Sequence, residues 1–118
     1  HSEYCYLSKK TAEHLNEVKS SKNRRIICVG TTALRTLETS FENGIFEPIN
    51  KKTNKFIYPG IDINSIDALI TNFHLPKSSL FILICAFMGT NKMIKAYEYA
   101  IKNNYRFYSY GDACLLEK

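Results

Sequence analysis

The chain has 118 residues, of which 45% are hydrophobic and 23% are charged. This size allows one domain with one ordinary core, and the composition is that of a soluble globular protein. Because no segment approaches the roughly 20 apolar residues that a membrane-spanning helix needs, we expect no membrane partner. Sixteen Lys and Arg against eleven Asp and Glu give a net charge of +5, which is compatible with a nucleic-acid partner but does not establish one.

The cysteines and histidines favour neither disulfides nor a metal site. The four cysteines are far apart and form no Cys-x-x-Cys pair, and three lie in apolar runs: Cys5, Cys28, Cys85 and Cys114. We therefore expect buried free thiols in a reducing cytoplasm and no secretory signal. The histidines His1, His14 and His74 have no ligand spacing with one another or with the cysteines, so we expect no metal.

The first part of the chain predicts a strand, a helix and a second strand. Alternation in residues 1–7 predicts a strand with Tyr4 and Tyr6 on one face. Ser8 can cap a helix that runs to about Ser20. Residues 25–29 form a β-branched run, which is typical of a central parallel strand buried on both faces.

A glycine-containing turn follows this second strand. Gly30 permits a close backbone approach, and the hydroxyls of Thr31 and Thr32 could meet a carboxylate or a ribose. The turn lacks the Gly-x-Gly-x-x-Gly spacing, so the pattern alone is weak evidence of a nucleotide site. We expect a helix over residues 33–43 that Gly44 ends.

The middle of the chain centres on the turn around His74. Residues 45–54 read as irregular, and residues 55–58 as a short strand. Residues 68–70 predict a buried strand that Thr71 and Asn72 end, and a serine at 78 or 79 can cap an apolar helix over residues 80–88. His74 would then lie at the carboxyl end of a strand and near the start of a helix, which favours an anion or nucleotide site.

The last part of the chain predicts a helix, a strand and a ligand-facing turn. A helix should begin at Thr90 or Asn91 and end near Asn103, with an inner face formed by Met93, Ile94, Tyr97, Ala100 and Ile101. Residues 105–108 read as a strand. Tyr108 and Tyr110, beside Gly111, are placed for contact with a ligand. We therefore expect an α/β fold with a mostly parallel sheet flanked by helices.

Six stretches in order resemble a known family, the S-adenosylmethionine:tRNA ribosyltransferase-isomerases of queuosine biosynthesis. They are His-Ser-Glu-Tyr at the start, Val29-Gly30-Thr31-Thr32 with Arg35, Leu37 and Glu38, Phe56-Ile57-Tyr58-Pro59-Gly60, Thr71-Asn72-Phe73-His74-Leu75-Pro76, Arg106-Phe107, and Ser109-Tyr110-Gly111-Asp112-Ala113. The resemblance spans nearly the whole chain. It implies a single α/β unit over residues 1–118, the C-terminal part of the family's large domain, without the N-terminal portion and the β-barrel domain.

The resemblance also implies a reaction. The family moves the ribosyl unit of S-adenosylmethionine onto 7-aminomethyl-7-deazaguanine in the tRNA anticodon loop and isomerises it to give epoxyqueuosine, with release of adenine and methionine. It implies S-adenosylmethionine as co-substrate, no metal, a cytoplasmic location, a monomer, and the missing N-terminal portion of the same enzyme as a partner. The alternatives are a non-enzymatic RNA-binding module and an inactive fragment of the enzyme.

Within this resemblance, our hypothesis assigns site roles to particular residues. His74 is the leading acid or base, with a structural histidine bonded to the local backbone as the alternative. Asp112 and Tyr110 are further catalytic candidates. Predicted cofactor contacts are Gly30, Thr31, Thr32 and Asn72, and predicted nucleic-acid contacts are Arg35 and Arg106. His1 and Glu3 share a strand face that is either part of the site or solvated. Arg35 and Glu38, three apart on a helix, could instead form a surface ion pair.

Overall fold

Seven strands and four helices make up the part of the chain that the computed structural model describes, residues 2–54, 60–76 and 78–118. In chain order they are β1 Glu3–Leu7, α1 Lys9–Lys19, β2 Ile27–Val29, α2 Thr31–Ser40, β3 Phe41–Glu42, β4 Ile45–Phe46, β5 Ile49–Thr53, β6 Ala68–Asn72, α3 Ser79–Met88, α4 Thr90–Lys102 and β7 Ala113–Glu117. The strand predicted over residues 55–58 lies outside the described residues.

The strands form three small sheets. The largest has the order β2-β6-β7, in which β2 is parallel to β6 and β7 is antiparallel to it. The pairs β1-β5 and β3-β4 are both antiparallel. The α/β class is therefore correct, but the prediction of a mostly parallel sheet is wrong, since only β2 and β6 run parallel among the described strands. Although α3 and α4 lie between them in the chain, β7 begins beside the end of β6, with Ala113 in register with Asn72, and so runs back antiparallel to it.

Two predicted strands differ from the structure. The strand β2 lies at the edge of its sheet, and Ile27 and Val29 are exposed, so the prediction of burial on both faces is wrong. The strand predicted over residues 105–108 is absent, because the backbone has positive φ at Asn104 and Tyr108 and turns there. The last strand is instead β7, five residues further on.

The segment predicted to be irregular contains the strands β4 and β5, because a hairpin follows α2. The helix α2 starts two residues earlier than expected and ends at Ser40. Asn43 and Gly44 both have positive φ, 53° and 82°, as the central pair of a type I′ hairpin turn requires. Gly44 therefore turns a hairpin instead of ending a helix.

The core lies between the inner face of the main sheet and the helices. Leu34 of α2, Leu69 of β6 and Ile84 of α3 are fully buried there. The free cysteines Cys5, Cys28 and Cys85 are also buried. On α4, Met93 and Tyr97 are buried as predicted, whereas Ile94 and Ile101 are exposed.

The helices α3 and α4 meet at Gly89 with a bend of 119°. Within the described ranges, no single helix is long and apolar enough to cross a membrane, and this bent pair meets the length and composition test only when its two helices are joined.

Candidate active site

The turn between β6 and α3 carries His74. The strand β6 ends at Asn72, and Ser78 caps α3 by accepting a hydrogen bond at its Oγ from the backbone N–H of Phe81, 3.2 Å away. The predicted serine cap is thus confirmed. His74 therefore lies between the carboxyl end of a strand and the start of a helix, as its sequence context indicates.

Two hydroxyl groups fix the position of His74. Its backbone N–H donates to Tyr97 Oη over 2.8 Å, and its ring Nε2 lies 2.9 Å from Thr71 Oγ1. Burial lowers the pKa of His74 below its ordinary value, so the imidazole is neutral near pH 7. Burial also raises the pKa of Tyr97 to about 12, which keeps its hydroxyl protonated.

A cluster of aromatic rings packs against this turn and holds it in place. The ring of Phe73 lies 5.3 Å from Tyr97, 5.7 Å from Tyr105 and 5.1 Å from Phe107, measured between centroids. Phe73 is buried, and these pairs are tilted or edge-to-face, which is the favourable geometry for aromatic contacts. Phe73, which precedes His74, is therefore held by α4 and by the segment that follows α4.

The turn over residues 106–112 packs directly on the His74 turn. Tyr108 N–H donates to the Phe73 carbonyl over 2.9 Å, and Phe73 N–H donates to the Asp112 carbonyl over 3.3 Å. The Asp112 carboxylate accepts from the backbone N–H of Arg106 over 2.7 Å, which closes the turn. At Gly111 a Cβ would lie 2.5 Å from the carbonyl oxygens of Arg106 and Phe107, so only glycine fits.

The two turns together line an open cavity of about 260 Å³. Its described lining consists of Asn72, His74, Leu75, Ser78, Leu80, Tyr108 and Ser109. The volume lies slightly below the usual range of about 300–1,000 Å³ for a small-molecule site, so this cavity can hold part of a nucleoside. Of the predicted site residues, the structure brings His74 and Asn72 together here. Tyr110 lies on the adjoining turn but is 98% exposed.

The Gly30 turn lies at the same edge of the sheet. Gly30 N–H donates to the Ile70 carbonyl over 2.8 Å, and β2 and β6 run parallel, so both strands end on this side. Gly30 has φ of 94°, which favours glycine, and α2 begins at the next residue. Thr31 and Thr32 are not among the described residues that line the His74 cavity.

The two predicted arginines have different surroundings. Arg35 forms an ion pair with Glu3 of β1, and its side chain is largely buried. The buried Arg35 Nε makes no hydrogen bond in the described structure. Glu38 is buried and accepts from the Ser65 hydroxyl, so the expectation of an exposed Arg35–Glu38 pair is wrong. Arg106 is exposed on the turn beside the cavity. His1 lies outside the described residues.

Sequence reasoning missed the groups that position His74. We expected Tyr97 only as a core residue of α4. The sequence signal for its role is that a buried tyrosine hydroxyl needs a hydrogen-bond partner. Thr71 was expected only to end a strand. Across the described ranges, no three His, Cys, Asp or Glu side chains converge as metal ligands.

Known proteins resemble this chain in both sequence and fold. Similar proteins include the S-adenosylmethionine:tRNA ribosyltransferase-isomerases of Rickettsia typhi, 56% identical, and Rickettsia rickettsii strain Sheila Smith, 54% identical, each over 116 residues and 98% of this chain. The chain spans only 31% and 32% of the length of these curated relatives. A crystal structure of S-adenosylmethionine tRNA ribosyltransferase from Thermotoga maritima superposes with a TM-score of 0.83 at 46% identity, covering 91% of this chain and 38% of that one. The sequence model of the queuosine biosynthesis proteins matches residues 1–116. The resemblance seen in the motifs is confirmed, and the chain belongs to the queuosine biosynthesis protein family.

Proposed function

We propose that this chain is part of an enzyme that transfers and isomerises the ribosyl unit of S-adenosylmethionine onto 7-aminomethyl-7-deazaguanine in tRNA. The products are epoxyqueuosine in the tRNA, adenine and methionine. The relatives are named for a ribosyltransferase-isomerase reaction on tRNA with S-adenosylmethionine. The observation that carries the proposal is that the His74 turn and the 106–112 turn line the same cavity. Both turns carry family motifs.

His74 supplies proton transfer in this proposal. The reaction begins with loss of a proton from the ribose 5′ carbon, which the adjacent sulfonium makes acidic. A neutral imidazole can accept this proton, and burial keeps His74 neutral. In that role Nε2–H donates to Thr71 Oγ1 and leaves the Nδ1 lone pair free. The protonated ring can later donate to the departing adenine.

Neighbouring polar groups bind the rest of the co-substrate. Asn72 contributes an amide and Ser109 a hydroxyl to the cavity wall, and both can hydrogen-bond ribose hydroxyls. The Gly30-Thr31-Thr32 turn binds the polar end of the co-substrate from the same sheet edge. Asp112 acts by holding the 106–112 turn closed, since its carboxylate is bonded to Arg106 N–H.

Transfer RNA binds beside this cavity in the proposal. Arg106 and Tyr110 lie on one exposed turn, where a guanidinium can meet phosphate and an aromatic ring can stack on an anticodon-loop base. Arg35, which is largely buried and ion-paired with Glu3, is less suited to a direct tRNA contact than the exposed Arg106. The enzyme works in the cytoplasm as a monomer, and this chain supplies the C-terminal part of its large domain.

The test is adenine release from S-adenosylmethionine by the intact protein with precursor-containing tRNA. We expect His74→Ala to lower the rate by about 10²- to 10⁴-fold, the usual contribution of general acid–base catalysis. His14→Ala changes an exposed histidine of α1 and should leave the rate unchanged. An unchanged rate in His74→Ala would exclude the acid–base role.

A non-enzymatic RNA-binding module is the alternative that the exposed Tyr110 and the net charge of +5 favour. Such a module would bind precursor tRNA with an affinity that falls steeply with salt, yet release no adenine. Measuring binding and adenine release on the same preparation separates the two functions.

A further inference from the structure

One face of the main sheet carries apolar side chains that are exposed on its two edge strands, β2 and β7. Val29, Ile70 and Leu115 are register partners on β2, β6 and β7, so their side chains form one row across the sheet. Ile27 lies on the same face of β2, two residues from Val29. Val29 is 68% exposed, Leu115 54% and Ile27 45%, whereas Ile70 between them is half-buried and Ala68 on the same face is buried. We call Ile27, Val29, Ile70 and Leu115 the outer sheet face.

The opposite face of the same strands is fully packed. Cys28, Leu69 and Leu116 form the matching inner row and are all buried in the core. Sheets made only of parallel strands occur almost only where both faces are covered, and the parallel pair β2-β6 is the part of this mixed sheet to which that rule applies. A row of large apolar side chains in water is thus the mark of an interaction surface.

The geometry points to one occupant: an apolar element from the part of the full-length enzyme that lies outside the matched region. This inference rests on family membership and not on the proposed reaction. The chain spans only 31% of its Rickettsia typhi relative, so about two-thirds of such an enzyme remains to cover this face. A segment tethered in the same polypeptide docks at high effective concentration, so a small patch suffices.

A second copy of the chain fits this face poorly. Stable interfaces between separate proteins use about 20–30 residues on each side, many more than the four apolar residues here. Charge also borders the apolar row on this face, since Glu117, in register with Ala68 and Ile27, forms an ion pair of 2.7 Å with Arg25.

Thiol labelling of two cysteine substitutions tests the inference. In this chain, Val29→Cys and the control Ile45→Cys should react with iodoacetamide at similar rates, because both positions are at least half exposed. Ile45 lies on the β3-β4 hairpin near Glu42 and Glu47, is not part of the apolar row, and serves as the surface reference. Mass spectrometry of the peptide that carries each new thiol separates it from the native cysteines.

The decisive comparison uses the full-length Rickettsia typhi relative with cysteine at the two matching positions. We expect the thiol that matches Val29 to react at least about 10-fold more slowly than the one that matches Ile45. Equal rates there would overturn the inference. Protection of Val29→Cys in this chain alone would overturn it too, and protection that rises with protein concentration would assign the face to a second copy.

Adenine release by the same full-length variants keeps the two proposals separate. Protection of the Val29 position in a protein that releases no adenine supports the docking surface and contradicts the function. Free labelling in a protein that releases adenine supports the function and contradicts the docking surface.

Discussion

Replacing Tyr97 by Phe removes one oxygen from beneath the His74 turn and leaves the aromatic packing in place. The ring would keep its neighbours, with centroids 5.3 Å from Phe73, 4.7 Å from Phe81 and 5.6 Å from Phe107. What is lost is the acceptor for the backbone N–H of His74. The variant therefore isolates one hydrogen bond that fixes the candidate acid–base residue.

The expected loss of stability is about 1–2 kcal/mol. An unsatisfied buried donor costs roughly 1–3 kcal/mol, and the His74 turn borders an open cavity from which water can partly satisfy the freed N–H, so the lower part of that range applies. For a domain of this size, such a loss lowers Tm by about 3–10 °C.

Thermal unfolding followed by circular dichroism measures this change, and hydrogen exchange at the His74 amide locates it. Tyr99→Phe is the control, because Tyr99 lies on the same helix and is 62% exposed. We expect Tyr97→Phe to lower Tm and to speed exchange at His74, whereas Tyr99→Phe does neither. Equal Tm values for the two variants, with unchanged exchange at His74, would refute the anchoring role of Tyr97.

Three further changes probe the site turn, its titration and the core. Gly111→Ala should lower stability by about 1–3 kcal/mol, because its Cβ would meet two backbone carbonyls at 2.5 Å, whereas Ser109→Ala in the same turn should have little effect in urea unfolding. Burial lowers the pKa of His74, so on acidification the unfolded chain binds a proton at this histidine, near pH 6.5, before the folded chain does. The contribution of neutral His74 to the unfolding free energy is therefore present above that pH and is lost as the pH falls. His74→Gln should therefore flatten the fall in unfolding free energy between about pH 7 and pH 5, and a slope equal to that of His14→Gln would contradict this. Leu34→Ala should cost about 2–5 kcal/mol since Leu34 is fully buried, and a cost no larger than that of the exposed Ile101→Ala would count against the assigned core.

The sequence predicts the surroundings of His74 well because the signals there are local. An apolar strand, a Pro-containing turn and a serine cap follow one another within eleven residues, 68–78, and each acts on its immediate neighbours. The structure places β6, the turn and α3 accordingly. The juxtaposition of this turn with the 106–112 turn was expected only from the family resemblance, because nothing local relates them.

The wrong predictions concern segments whose structure depends on contacts with residues far away in the sequence. The run Tyr105-Arg106-Phe107-Tyr108 has the composition of a strand, yet Phe107 packs on Phe73, which lies 34 positions earlier in the sequence, and the chain turns to make that contact. Residues 113–117 form a strand because β6 offers them a free edge. The exposure of Val29 has the same origin, since β-branched residues predict a strand but not whether its sheet is covered.

The strand β6 links the candidate site to the outer sheet face. Ile70 points to that face, while the adjacent Thr71 is buried on the opposite side and bonds the imidazole of His74. Side chains alternate along a strand, so an element that docks on Ile70 restrains the backbone that also positions Thr71. Covering the outer face should therefore slow hydrogen exchange at β6 and narrow the range of His74 orientations. If the β6 amides exchange as fast in a full-length relative as in this chain, the outer sheet face and the candidate site are not coupled. Tyr97 and the aromatic cluster would then be the groups that hold the His74 turn in place.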